Sequence, residues 1–290
     1  GFAFNVPQGW NQIVNVPLFA AYQSPDLTGA LFVRAYHTGT EFGVEAFNQA
    51  VQNGLNVVYS DVNDLVELER QESEGLMMQR RSTFTNAQGV KYISMDIFDR
   101  RGDVMYIVLF SAHADKWDTY APAFQQLVAT IQINPGVITP EYMYLSQPVM
   151  PGPDNLFYLS YPEDWTYLPD DGSLGGNVAI SGFVSPDKNG GMFVVRKLYP
   201  LKPNNNERAS DGLALLKAAV SKDIRVAYDK VLKDGRERLD WWSDANKISG
   251  IAWLDTRGKY LVMLIVVWSD AAEATYKPFM EKIAATYTYE

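Results

Sequence analysis

The chain contains no cysteine. That removes disulfides, thiol nucleophiles and cysteine-ligated zinc. Histidine is nearly as scarce: His37 and His113 are the only two in 290 residues. A histidine-based triad or a three-histidine zinc site is therefore cramped or excluded. His37 follows a strand-like run and His113 precedes a helical one, and both read as ordinary surface side chains. Long apolar runs are also missing. The longest, Tyr260 to Trp268, is about half of the ~20 residues a membrane-spanning helix needs, so no integral membrane segment is expected. Positive charge is in deficit, with 25 Lys and Arg against 34 Asp and Glu, a net charge of −9. Nucleic acid, which needs a basic face, is excluded as a partner, and docking to anionic lipid is disfavoured. Arg80-Arg81 and Lys217 to Lys233 are the places where a local basic patch could form, against the plainer reading of solvated charge. Phosphate-binding and nucleophile-elbow motifs are absent.

What the chain does contain is a repeat. Pro7-Gln8-Gly9-Trp10 returns as Pro162-Glu163-Asp164-Trp165. Ser24-Pro25-Asp26, with Gly29 and Phe32-Val33, returns as Ser185-Pro186-Asp187, with Gly190 and Phe193-Val194. Asp99, Arg101 and Gly102 match Asp255, Arg257 and Gly258, and Thr119-Tyr120 with Pro122 matches Thr275-Tyr276 with Pro278. The offset between copies widens after the first anchor and narrows before the third. The second copy thus carries an insert near 169–176 and a later deletion, as loops tolerate. Helical stripes recur too. Val44, Phe47, Val51 and Leu55 share their spacing with Leu213, Leu216, Val220 and Ile224. Tyr120, Phe124 and Leu127 match Tyr276, Met280 and Ile283. Each set predicts one apolar helix face.

Between the copies, Asn134 to Asn155 holds Pro135, Pro140, Pro148, Pro151 and Pro153, a density that forbids helix and central strand. The expected division is residues 1–134, a linker at 135–155, and residues 156–290. Within each copy the apolar runs Val104 to Phe110 and Tyr260 to Trp268 predict strands covered on both faces. Each pairs with its predecessor through a hairpin, for which Asp99 to Gly102 suggests a type I turn. Hairpins make the sheet mainly antiparallel. The expected class is α+β: two tandem α/β/α sandwiches, each with helices packed on a mainly antiparallel sheet.

A strand into Pro-x-x-Trp, one amphipathic helix, a hairpin and a terminal helix resembles the PsbP-like superfamily, in both copies. The resemblance implies a compact α/β/α sandwich and a role in binding or assembly rather than catalysis. With the abrupt strand-like start Gly1-Phe2-Ala3-Phe4, it leads to the expectation of an exported protein whose leader has been removed. Such a protein would be a non-catalytic, lipoprotein-like binder at the cell envelope, a monomer with pseudo-twofold repeats. Its partner would be an unidentified protein or small-molecule ligand, and no cofactor is expected.

Trp241-Trp242 is the candidate binding feature. Neighbours in a strand point to opposite faces, so one indole should face the core and the other outward. An exposed tryptophan often marks a binding surface, whereas a covering helix would make both structural. Trp10 and Trp165 recur in both copies and read as core. Asp170-Asp171-Gly172 and Asp187 to Gly190 read as turns rather than calcium loops. Two alternatives stay open: a carboxylate-dependent hydrolase acting on a polysaccharide, and a pseudo-dimeric scaffold.

Overall fold

The structure, a computed structural model, describes residues 1–73, 76–139, 158–162 and 164–288. It divides into two compact units, Gly1–Tyr144 and Leu145–Glu290. In the first, β1 (Phe2–Ala3), β2 (Asn11–Val16), β3 (Phe19–Gln23) and β4 (Gly29–His37) precede α1 (Val44–Val58). Then come β5 (Asn63–Ser73), β6 (Met77–Thr85), β7 (Lys91–Arg101), β8 (Val104–His113), α2 (Trp117–Thr130) and β9 (Gln132–Ile133). The second unit has β10 (Thr166–Leu168), β11 (Val178–Val184), β12 (Gly190–Leu198), α3 (Asn205–Ala219) and β13 (Arg225–Val231). It ends with β14 (Glu237–Ser243), β15 (Ile248–Arg257), β16 (Tyr260–Ser269) and α4 (Glu273–Ala285).

Each unit builds one seven-stranded sheet. The orders are β2-β3-β4-β8-β7-β6-β5 and β10-β11-β12-β16-β15-β14-β13, and every neighbouring pair is antiparallel. The long apolar strands β8 and β16 lie at the sheet centres, where both faces are covered. Met105 and Ile107 of β8 pack with Phe47, Val51 and Leu55 of α1. The alternate residues Val108, Phe110 and Ala112 pack with Phe124 and Leu127 of α2. In the second unit Leu261, Met263 and Ile265 of β16 pack with Leu215 and Leu216 of α3. Tyr276 and Met280 of α4 close on Gly190, where any Cβ would stand 2.5 Å from the Tyr276 ring. The chain is therefore α+β, with helices on both faces of each antiparallel sheet.

Several local expectations need correction. The β7–β8 hairpin turns at Gly102-Asp103, since Arg101 pairs with Val104 and Asp99 already pairs with Tyr106. Gly102 has φ +65° and Gly258 φ +55°. Positive φ at the first central position is the requirement of a two-residue type II′ hairpin, which strand twist favours over type I. The helical stripes of α1 and α3 pack on the sheets as expected at Phe47, Val51, Leu55 and Leu216, but not at their first positions. Val44 and Leu213 are exposed, while Ala46, Ala50 and Leu215 are buried. Ile224 is buried but lies beyond the end of α3. That helix starts on a capping box, with Asn204 accepting from Glu207 N–H and Glu207 accepting from Asn204 N–H, which satisfies two orphan donors. Of the proline-rich stretch, Pro135–Val137 forms a 3₁₀ turn and Ile138 packs on the first unit. Pro140, Pro148, Pro151 and Pro153 lie outside the described residues.

Candidate ligand recess

The repeated anchors converge on one tie in each unit. Asp26 Oδ1 accepts from Ser24 Oγ at 2.7 Å, Thr28 N at 3.1 Å and Tyr120 Oη at 2.7 Å. Asp187 Oδ1 accepts from Ser185 Oγ at 2.6 Å, Asn189 N at 3.0 Å and Tyr276 Oη at 2.8 Å. The serine oxygens in turn accept from Gly29 N and Gly190 N at 2.8 Å. Trp10 packs edge-on against Tyr120 at 5.6 Å, and Trp165 tilts against Tyr276 at 6.2 Å. The donors crowding Asp26 hold its carboxyl far below the usual range, the Tyr120 hydroxyl contributing most. Each tie fastens the β3–β4 or β11–β12 turn to the unit's last helix. Anchors that are satisfied within the chain are structural, and the Asp187 loop is a turn. At the third anchor, Arg101 donates to Asp99 at 3.0 Å and Arg257 to Asp255 at 2.7 Å, along one strand face.

The units differ beneath α1 and α3. In the first, Arg80 donates to Asp96 Oδ2 through Nε at 3.0 Å and Nη2 at 2.7 Å. Tyr59, which caps α1, donates to Asp96 Oδ1 at 2.7 Å and sits 2.9 Å from Ser94 Oγ. Asp96 is 0% exposed. Burial pushes its carboxyl up, opposed by Arg80, and burial also pushes up the Tyr59 phenol. Arg80 thus belongs to an interior ion pair and not to a basic patch. The equivalent register in the second unit pairs Leu239 with Ala252, and Trp241 with Gly250 where the first pairs Ser82 with Ser94. Trp241 is 2% exposed, within the α3 core. A Cβ at Gly250 would lie 2.3 Å from its ring. Trp242 is half-buried on the opposite face, paired with Arg225 and Ser249. Of the two tryptophans, Trp242 is the one that keeps exposed surface.

A recess of about 350 Å³ lies in the second unit, lined by Asp170, Gly176, Val178, Ala179, Arg196, Leu198 and Tyr260 among others, and one of about 310 Å³ lies in the same unit at Lys202, Arg208, Asp234 and Arg257. Arg196 lies on β12, in register with Ala179 of β11 and Val262 of β16. It faces away from Val195, which packs under α3. Arg196 borders the recess, is only 9% exposed, and engages another group of the chain. The loop above it is the insert in the second copy. There Asp170 Oδ1 accepts from Gly172 N at 3.1 Å and Ile180 N at 3.3 Å, and Asp171 Oδ1 from Ser173 N at 2.9 Å. Both aspartates cap turns, and no cluster of His, Asp or Glu suited to a metal occurs among the described residues.

The equivalent strand position in the first unit is apolar, and a recess of about 370 Å³ lies beside it, lined by Phe2, Val16, Leu18 and Ala20 among others. Register places Ala35 where the second unit has Arg196, and Val104 where it has Tyr260. Leu18 takes the position of Ala179, and its carbonyl accepts from Ala35 N at 2.9 Å. Ile138, from the segment after β9, packs into this cluster and is 4% exposed. The signal in the sequence was a charged residue at a repeat position that is apolar in the other copy. Finding it required the strand register.

His37 is buried, 5% exposed, rather than a surface residue. Its Nδ1 accepts from Gly39 N at 2.9 Å, so the neutral ring carries its proton on Nε2, 3.1 Å from Asp103 Oδ2. Burial lowers its pKa against the pull of Asp103. His113 lies 3.1 Å from Tyr92 Oη and edge-on to that ring. Glu237, buried and pushed up by desolvation and by Asp229, is held by Arg208 at 3.2 Å.

No protein-family model matches the chain, and no curated protein matches its sequence. Among solved structures it is similar to cyanobacterial PsbP (CyanoP) from Synechocystis sp. PCC 6803. Identity is 14% and the TM-score 0.41, covering 55% of this chain and 98% of that one. A protein of unknown function from Pseudomonas aeruginosa, PA94, a putative regulator by its description, is 12% identical with TM-score 0.32, covering 47% and 85%. A Bacteroides thetaiotaomicron protein is 19% identical with TM-score 0.31, covering 46% of this chain and 45% of its own length. No helix among the described residues is long and apolar enough to cross a membrane.

Proposed function

We propose that the chain is a non-catalytic binding protein of the cell envelope, made of two PsbP-like domains at 1–134 and 156–290 joined by a linker at 135–155. Its ligand site is the recess at Arg196. What supports this reading is a recess of about 350 Å³ walled in part by Ala179, Leu198 and Tyr260, beneath the insert of the second copy. A concave site that sets a few polar groups against apolar walls is the usual form of a ligand pocket. Trp242 offers a separate contact for a protein partner. Export is supported by the resemblance to the PsbP-like superfamily. Ligand-observed and amide NMR with a mixed set of acidic, basic and neutral fragments tests the site. Perturbation should gather on Gly176, Ala179 and Tyr260. A set in which every hit maps elsewhere contradicts the assignment. Recovery of the native protein from the cytoplasm would overturn the envelope location.

A further inference from the structure

We infer that residues 39–41, between β4 and α1, form an acid-released latch in the first unit: protonation of His37 detaches the Gly39 amide and lets this segment swing away from the β7–β8 turn. The imidazole is enclosed, with His37 only 5% exposed. Both of its nitrogens are engaged within the fold. Nδ1 accepts from Gly39 N at 2.9 Å, and Nε2 faces Asp103 Oδ2 at 3.1 Å. A neutral imidazole offers one donor and one acceptor, whereas an imidazolium offers two donors. The second proton must therefore land on Nδ1, where it meets the Gly39 N–H. Two donors cannot share that position, so the Gly39 amide has to leave. The contact with Asp103 survives and becomes charge-assisted.

The contacts on either side confine the movement. Thr38 N and Thr38 Oγ1 each donate to the Asp103 carbonyl at 2.8 Å, and Phe42 is buried in the core beneath α1. Between these fixed points, Gly39 has φ +92°, a position where glycine turns freely. Glu41 is tied only through an exposed ion pair with Arg100 at 2.8 Å, which holds weakly. The charged surroundings of the ring are few. Register places Val104 and Arg101 beside His37, and Ala35, Tyr106 and Asp99 one step along the same face. Arg101 pairs with Asp99 at 3.0 Å, and burial pushes the Tyr106 phenol up to about 12, so it stays neutral. The cluster on that face adds the apolar Phe2, Leu18, Ile133 and Ile138. Asp103 favours the charged ring, burial opposes it and prevails, and the latch opens below the ordinary histidine range. The second unit has Leu198 at this position and nothing there to titrate.

The test uses the full chain and follows the His37 ring nitrogens, the Gly39 amide and the β8 amides by NMR against pH. The Gly39 amide should shift with the midpoint of the His37 ring, below about 6.5. Across that midpoint its hydrogen exchange, corrected for the intrinsic effect of pH, should speed up by roughly tenfold or more, while the β8 amides keep their protection. In His37→Asn the side-chain oxygen accepts from Gly39 without titrating, so Gly39 should stay protected into acid. Asp103→Asn keeps the ring and removes the half-exposed anion that favours its charged form. It should lower the midpoint by up to about one unit, and it covers the case in which His37→Asn fails to fold. A Gly39 amide that stays protected while the ring titrates overturns the latch. So does one that opens only together with β8, or that opens in His37→Asn at the same pH as in the unaltered chain. A midpoint that stays or rises in Asp103→Asn overturns it as well.

Discussion

The two units share a strand order and a set of anchors, yet they fill the space beneath their first helix in opposite ways. Unit 1 buries a polar group, Arg80, Asp96, Ser82 and Ser94, with Tyr59 reaching down from the end of α1. Unit 2 places Leu239, Ala252, Trp241 and Gly250 at the same register, with Val220 at the helix end. One large indole over a glycine replaces two serines, and an aliphatic pair replaces an ion pair. Among the described residues, each solution leaves one donor without a hydrogen-bond partner at the same position, the Ser82 hydroxyl and the Trp241 indole N–H. A sheet therefore tolerates either interior, provided that volume and charge are balanced across each cross-strand pair.

The comparison breaks most sharply where one partner is removed. Asp96→Ala should destabilise unit 1 by about 3–5 kcal/mol, because it leaves Arg80 buried and unpaired. Combining it with Arg80→Leu, which reproduces the Leu239–Ala252 pair, should recover part of that loss. Native-state hydrogen exchange at β6 and β7 amides reads both variants, and a double variant no more stable than the single one would show that the buried charge is not the cause. In unit 2, Trp241→Ala should cost about 3–5 kcal/mol through the cavity it opens, read at β14 and β15 amides. Wild-type-like protection there would mean that the indole is not part of the core.

Smaller effects distinguish the two ties. Tyr276→Phe removes a hydrogen bond from a fully buried tyrosine to Asp187 and should cost roughly 1.5–3 kcal/mol. Tyr120→Phe, at the more exposed tie to Asp26, should cost less. The reverse order in urea unfolding would contradict the burial ranking. The smallest effect is a dependence on pH confined to unit 1. His37 has a folded pKa below its unfolded value of about 6.5. Its contribution is therefore present above that value and is lost as pH falls through the folded pKa. The equivalent residue in unit 2 is Leu198, so His37→Leu should flatten the profile of unit 1 between neutral and mildly acid pH. An unchanged profile would assign that dependence to other groups.

The parts legible in the sequence were those written in short, local patterns. The Pro-x-x-Trp, Ser-Pro-Asp and Thr-Tyr anchors announced the repeat, and the apolar runs of β8 and β16 announced central strands. Alternation along a strand separated Trp241 from Trp242. That the anchors form one tie was hidden, because Asp26 and Tyr120 meet across 94 positions of chain. The burial of His37 was hidden as well, since it depends on the Gly102-Asp103 turn lying two residues from where the type I pattern put it. The recess was hidden for a third reason. Ala35 and Arg196 become equivalent only after an insertion, and Ile138, which packs on Ala35, sits in a stretch whose prolines mark it as a linker.

A crystal structure of the full chain soaked with a mixed set of acidic, basic and neutral fragments tests the central claim most directly. The account predicts fragments bound in the recess of unit 2, against Ala179, Leu198 and Tyr260. Fragments bound only elsewhere on the chain, with that recess empty, would contradict it.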